Sequence, residues 1–248
     1  MALIEGGYTN YGQVLGIIML DTRFPRLPGD VGNAATFPFP VRYQVVKGAS
    51  PLKVVEEADP ALLTPFIAAA QELEAAGVRT ITTSCGFLAL WQAELAASVK
   101  VPLFTSSLLQ VPLAWRLTGG RPVGIITAHA PSLSPRHLAA VGAEEVPHVI
   151  YGLEEAPEFT RTFIRGEATL DPAAVENEVR HAARRLASAH PEIGSIVLEC
   201  TNLPPFARAV QEESRLPVFD IVSLCHLVAR AGACSTYPPF AGWAAVSG

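Results

Sequence analysis

Cys85 and Cys200 are the residues whose type and spacing point to chemistry. Each closes a short β-rich run, VRTITTS at 78–84 and GSIVLE at 194–199, and each precedes an amphipathic stretch and an apolar, Pro-led segment. Cys85 lies 17 positions before Pro102 and Cys200 lies 17 before Pro217, so a shift of 115 superposes Ile81 on Ile196, Cys85 on Cys200 and Phe104 on Phe219. Two equivalent cysteines in two equivalent half-chains imply one site with a sulfur from each side. A free thiol has a pKa of roughly 8.5, and a helix N-terminus lowers it through backbone N–H groups and the helix dipole. Both cysteines stand just before a predicted helix. Two such sulfurs suit two-base proton transfer: one thiolate removes a proton from a carbon acid and the opposing thiol returns one to the other face. The pair would titrate as a unit. The carbanion that develops needs donors on the substrate carboxylate, and Thr83, Ser84 and the Gly86 backbone on one side, with Thr201 and Asn202 on the other, are the candidates.

Other uses of cysteine fit less well. No C-x-x-C forms, because Leu88 and Leu203 hold the third positions, so zinc-ribbon and thioredoxin-like readings fail. Tyrosine-phosphatase loops need Arg six residues after the cysteine, where Trp91 and Phe206 stand. No G-x-G-x-x-G, Walker A or G-x-S-x-G sequence is present. No cofactor and no metal are expected.

The elements that must position the sulfurs read as alternating strands and helices. Residues 14–20 (VLGIIML) form a continuous apolar run, as in a parallel strand covered on both faces. It ends in Asp21-Thr22-Arg23 and a Pro/Gly/Asn-rich loop reaching about Pro40, a length that marks functional loops. Val41–Val46 reads as the next strand. Asp59-Pro60 is an N-cap followed by Pro at N1, opening a helix to about Ala76, with Pro65 a candidate kink and Gly77 its close. A helix over 87–98, a strand over 101–105 and a helix near 107–117 lead to a junction at Gly119-Gly120. The pattern then restarts: Gly124-Ile125-Ile126 echoes Gly16-Ile17-Ile18, and Asp171-Pro172 repeats the helix opener, running to about Ala189. A last helix over 222–231 is expected to pack back on the first half, before a Pro/Gly-containing tail over 236–248.

This is the pattern of an α/β protein with two pseudo-symmetric lobes, each a mainly parallel sheet flanked by helices. The first lobe is expected to comprise residues 1–117 with 221–248, the second 118–220, with the active site in the interlobe cleft. Such sheets bind ligands at the carboxyl ends of their strands, where Asp21, Cys85 and Cys200 all fall. With 248 residues, 50% of them hydrophobic, and a mean hydropathy of +0.30, the chain can bury a large core. A net charge of −5 and pI ≈ 5.7 leave no basic footprint for nucleic acid. No apolar run approaches the ~18 residues of a membrane span, and residues 14–20 lack a basic flank, so neither a membrane partner nor a signal peptide is expected. A cytoplasmic location follows, with the four cysteines reduced.

TTSCGF at 82–87, LECTNLPP at 198–205 and LDT at 20–22 resemble the cysteine signatures and N-terminal Asp loop of the aspartate/glutamate (Asp/Glu/hydantoin) racemase superfamily. The resemblance spans the whole chain in plan and some 20 residues in motif. It implies a cofactor-independent, two-cysteine amino-acid racemase or epimerase of two pseudo-symmetric lobes, acting on a small-molecule carboxylate as a homodimer. Carried over, Cys85 and Cys200 are the opposed acid/base pair, Asp21 assists proton transfer, Thr201 and Asn202 bind the substrate carboxylate or amine, and Thr22, Thr83, Ser84 and Gly86 complete the binding set. The departures are Gly86-Phe87 in place of the usual Asn-Thr, Thr22-Arg23 in place of Ser-Gly, Glu199 in place of Gly, and Asn202 in place of the His of glutamate racemases. They alter the pocket and leave aspartate, hydantoins or another carbon acid open. Relatives that decarboxylate arylmalonates keep one cysteine, so two favour racemisation; maleate-type isomerisation or decarboxylation is the enzymatic alternative, and a non-catalytic two-lobed binding protein the alternative of another class.

Plainer readings stand beside these. Cys225 and Cys234 read as small buried apolar residues. Asp21 reads equally as the cap of a turn. Glu199, beside Cys200 in a strand, reads as facing away from it. Arg23, Arg26 and Arg42 read first as solvated surface, with carboxylate recognition as the alternative; His129 stands at the Asp21 position of the second half. Arg180, Arg184 and Arg185 read as an exposed helix face.

Overall fold

The alternation along LGIIML decides how the first sheet is covered. In the computed structural model, which describes residues 6–232, this run is β1 (Leu15–Leu20) and every residue of it is buried. Leu15, Ile17 and Met19 face a cluster with Phe104, Ile221, Leu224 and Cys225, whereas Ile18 and Leu20 face the main core with Phe66 and Leu73. Successive strand residues point to opposite faces, so a run apolar at every position needs a cover on each side. The tail expected over 236–248 and the reading of Cys234 lie outside the described residues.

β1 pairs in parallel with β2 (Val41–Val46) and β3 (Thr80–Thr83), and β3 pairs with β4 (Leu103–Phe104), giving the order β2-β1-β3-β4. The second sheet repeats this with β5 (Val123–Thr127), β6 (His148–Gly152), β7 (Ser195–Leu198) and β8 (Val218–Phe219) in the order β6-β5-β7-β8, also all parallel. Gly16 sits opposite Ile81 in one sheet and Gly124 opposite Ile196 in the other, so the internal repeat is a repeat of sheet register. The Gly-Ile-Ile echo has a packing cause: a methyl group at Gly16 would lie 3.1 Å from Leu73 and one at Gly124 would lie 2.9 Å from Leu186, where a long helix presses on the central strand.

The helices are α1 (Leu63–Ala75), α2 (Gln92–Ala97), α3 (Val111–Leu117), α4 (Pro135–Ala140), α5 (Pro157–Phe159), α6 (Pro172–Ala189), α7 (Ala207–Ser214) and α8 (Ile221–Ala231). α3 packs on β5 and β7 of the second sheet, and α8 on β3 of the first, so each half covers the other. One continuous apolar core joins α1 to α6 and α7 through both sheets. Arg180 bridges Glu176 on its own helix to Glu212 on α7, which gives the basic stripe of α6 a structural use. No helix among the described residues is long and apolar enough to cross a membrane.

Two local expectations change, and one strand goes unforeseen. The helix expected over 87–98 begins as a 3-10 turn, Gly86–Trp91, before α2. Pro65 does not kink α1, because it falls in the first turn, where its missing N–H is one of the donors a helix leaves unpaired anyway. β6 is not among the expected strands, because its signal is only the three-residue run Val149-Ile150-Tyr151 and all five of its residues are half-buried on the sheet edge.

Asp171 caps α6 by accepting the N–H groups of Ala173 and Ala174 at 3.0 and 3.1 Å. Asp171→Ala is expected to lower stability by about 1 kcal/mol, read as a lower urea midpoint at unchanged slope.

Candidate active site

β3 and β7 are adjacent to the central strands of their sheets, and each delivers one cysteine past its carboxyl end. Cys85 is extended (φ −151°, ψ 118°) and stands at the N-cap of the turn Gly86–Trp91, with the N–H groups of Phe87 and Leu88 towards its sulfur. Cys200 differs. A turn through Thr201 and Asn202 separates it from the 3-10 helix Pro204–Phe206, and only the Asn202 N–H supports its sulfur, so the expected helix cap is absent on this side. The Thr201 hydroxyl donates to the Ser84 carbonyl at 2.6 Å and clamps the two cysteine turns together. Both thiols are buried and line one cavity between the halves, with Leu20, Val55, Ser84, Gly86, Phe87, Phe163, Glu199 and Asn202 among its walls.

The long loop after β1 closes this cavity. Asp30, 2% exposed, accepts from Arg26 Nη1 at 2.6 Å, from the Gly32 N–H at 2.7 Å and from Asn202 Nδ2 at 2.7 Å. Asp30 only accepts, so the Asn202 NH₂ turns to it and leaves Oδ1 to receive the Cys200 thiol, 3.7 Å away. Arg26 also donates to Thr22 Oγ1 at 3.0 Å, lies over the Phe24 ring and lines the cavity. The surface reading of Arg26 is thereby corrected, while Arg23 is exposed and Arg42 is half-buried, donating to Asn10 and Gln13 away from the cavity.

Glu199 is the largest departure from expectation. It does not turn away from the sulfurs, because Cys200 lies beyond the last residue of β7 and strand alternation no longer governs the pair. Its carboxyl is fully buried, lines the cavity, and takes the Thr127 hydroxyl on Oε2 at 2.8 Å, while Oε1 has no partner. Gly86 makes the room: a methyl group there would sit 2.2 Å from Oε1.

Of the sequence candidates, Cys85, Cys200, Thr22, Ser84, Gly86, Thr201 and Asn202 line the cavity together. Thr83 does not; its hydroxyl is spent on the Thr105 and Cys85 carbonyls. Asp21 does not either: it lies in a neighbouring surface depression with Arg23 and Lys47, accepting the Gly48 N–H at 3.2 Å, as a turn cap does. His129 binds Ser132. Cys225 is buried in the apolar cluster under α8, in line with its plain reading.

Burial decides the protonation states. It pushes the Cys85 thiol up to about 12, with the Glu199 charge adding to the rise and the Phe87 and Leu88 N–H groups opposing it. Burial first, then Glu199, raises Cys200 well above the usual thiol range, and Cys85 adds to the effect. The expected lowering by a helix N-terminus is outweighed, since desolvation of a thiolate exceeds what two N–H groups return. Glu199 is raised to about 7, again by burial, against hydrogen bonds from Thr127 and Ala128. Among the described residues no cluster of three or more His, Cys, Asp or Glu is arranged to hold a metal.

A scan against protein-family models finds no match. The chain is 33% identical over 223 residues to dimethylsulfoniopropionate lyase 3 of Emiliania huxleyi, spanning 86% of this chain and 58% of that protein. It is 32% identical over 218 residues to the dimethylsulfoniopropionate lyase of Durusdinium sp. clade D, spanning 84% and 71%. Among solved structures, unliganded arylmalonate decarboxylase superposes with a TM-score of 0.58 at 18% identity, over 92% of this chain and 96% of that one. Allantoin racemase from Klebsiella pneumoniae superposes with a TM-score of 0.58 at 14% identity, over 88% and 87%, and glutamate racemase from Bacillus anthracis with 0.56 at 15%, over 89% and 83%. These structures give the fold, which this chain shares with all three.

Two measurements check the electrostatics. With neutral thiols, alkylation of Cys85 by iodoacetamide in the ligand-free protein should rise about tenfold per pH unit from pH 7 to 10 without a plateau; a plateau near pH 7 would contradict the burial argument. Glu199 is raised from 4.5 to about 7 in the folded state, so its contribution to stability is full below pH 4.5 and lost as pH rises through 7. Relative to Glu199→Gln, the wild type should lose about 3 kcal/mol between pH 4 and 8 by urea titration.

Proposed function

The chain belongs to the family of the dimethylsulfoniopropionate lyases, and from that premise we propose that it cleaves a small sulfonium-bearing carboxylate by cysteine-dependent β-elimination. The observation that carries this reading is the wall of the cavity. Two thiols share it with the rings of Phe24, Phe87 and Phe163, which suit methyl groups on a cation, and with Arg26, which suits a carboxylate. Ser84 Oγ accepts from the Leu20 N–H and Thr22 Oγ1 accepts from Arg26, so each hydroxyl keeps its proton for the substrate carboxylate. Thr201 and Asn202 are committed to Ser84 and Asp30, which favours a positioning role over direct binding.

In this reading one thiolate takes the proton from the carbon next to the carboxylate. The electrons of that C–H bond form the C=C bond as the C–S bond breaks, and the sulfur leaves with its pair as a neutral dialkyl sulfide. An unsaturated carboxylate remains, and the thiol returns its proton to water. Cys85 is the better-supported base, because two N–H groups face its sulfur against one at Cys200, where Asp30 adds repulsion. The leaving group needs no proton, so one base suffices and Cys200 flanks the same carbon.

The curated relatives carry the name of lyases, and racemisation stands as the second reading. It is favoured by one observation: both thiols line one cavity, and Cys200 lies within the field of Cys85. The chain spans 58% of the length of the first of these relatives, so the activity of the whole enzyme is part of the proposal.

Cys85→Ala is expected to cut release of dimethyl sulfide from dimethylsulfoniopropionate by about 10²–10⁴-fold, while Cys200→Ala keeps measurable turnover. Equal loss in both variants, together with exchange of the α-proton of an amino acid in deuterated buffer, would favour the two-base reading.

A further inference from the structure

The two halves treat one position differently. A shift of 115 places Glu199 on Ser84, and the backbone agrees: the Ser84 N–H binds Ile18 O at 2.9 Å and the Glu199 N–H binds Ile126 O at 2.8 Å. Ser84 Oγ takes the N–H of Leu20 at the end of β1, and the Glu199 carboxyl has that of Ala128 towards it at the end of β5. A serine completes this strand-end cap. Glutamate brings a second oxygen, buried and unpartnered, into a cavity where Gly86 has been cleared for it.

The surrounding charges leave that oxygen without a cation from the protein. Arg26 is held by Asp30 and Thr22. Cys85 and Cys200 are acids themselves, and Asp30 is an anion satisfied by three donors. Ser107, from the turn before α3, donates to the Leu198 and Glu199 carbonyls rather than to the carboxyl. His129 turns to Ser132, and Glu154 takes the Ala130 N–H. His137 packs edge-on against Phe87 and is held towards its neutral form by burial.

We propose that Glu199 is the counter-charge for a permanent cation on the substrate, so that the unpartnered oxygen and the Phe24, Phe87 and Phe163 rings together select a methylated sulfonium centre. A sulfonium has no N–H to donate and needs no hydrogen-bond geometry, only an anion and polarisable ring faces in a water-poor site. This rests on the elimination reading and names its specificity residue. It also supplies what the thiols lack: a substrate that brings its own positive charge lowers the cost of forming a thiolate in a buried site.

The test compares two unreactive isosteres by calorimetry: dimethylsulfonioacetate, which has no second carbon across which to eliminate, and 3-methylbutanoate, which keeps the carboxylate and lacks the positive charge. Wild-type protein at pH 8 should bind the sulfonium on the order of 30-fold more tightly, and Glu199→Gln should bring the ratio near unity. Wild-type protein alone gives a second readout that does not depend on the variant folding: the ratio should fall between pH 8 and 5.5 with uptake of one proton. A preference retained in Glu199→Gln, or independent of pH, would overturn the assignment and leave Glu199 as a strand-end cap. Failure of the elimination reading is seen separately, as wild-type protein releasing no dimethyl sulfide from dimethylsulfoniopropionate.

Discussion

Three acids share a cavity in which the nearest cation is already committed, and that imbalance governs the rest of the site. Cys85, Cys200 and Glu199 are all buried, and burial raises all three towards their neutral forms. In the proposed elimination the base is stored as a thiol, and the charge that releases it arrives with the substrate. The cavity also needs rigid walls, because an unpaired buried carboxyl oxygen tolerates little movement without gaining water. The Thr201–Ser84 and Asn202–Asp30 hydrogen bonds supply that rigidity by tying the halves together across 117 and 172 residues of chain.

The fold meets this demand by repetition. Two sheets of the same order place β3 and β7 beside their central strands, and the carboxyl ends of both open on one cleft. Exchange of α3 and α8 between the sheets makes the halves a single packed body, so the distance between the sulfurs is fixed by the core rather than by a hinge. The repeat is not symmetric where chemistry is concerned. One half offers Ser84 and a cysteine at a helix cap; the other offers Glu199 and a cysteine in a turn.

What could be read from the sequence was what local pattern encodes. The run at 15–20, the two Asp-Pro helix openers and the spacing of Cys85 and Cys200 each depend on neighbouring residues, and the likeness of the two sheets followed from the repeat. The loop over 21–40 was recognisable as functional by its length, and Thr22 was named in it, but the parts of Arg26 and Asp30 were not legible. Asp30, with Arg26 paired to it, becomes a partner of Asn202 only when the second half folds beneath them, and no local signal distinguishes the two from surface charge. Glu199 was misjudged because alternation was extended past the last residue of β7. The direction of the thiol shifts was misjudged for a related reason: a helix N-terminus is visible in sequence, whereas burial of the sulfur beside a carboxyl is a property of the assembled cavity.

The central claim is that both sulfurs address one carbon of a bound carboxylate. The most direct measurement is a crystal structure with 4-methylpentanoate, the isostere of dimethylsulfoniopropionate that lacks the sulfonium charge. The account predicts its carboxylate at Arg26 and Ser84, its branched end among Phe24, Phe87 and Phe163, and its C2 carbon within about 4 Å of both Sγ atoms, the reach of a proton transfer in a loosely packed complex. A ligand seated elsewhere, or one whose C2 approaches neither sulfur, would contradict it.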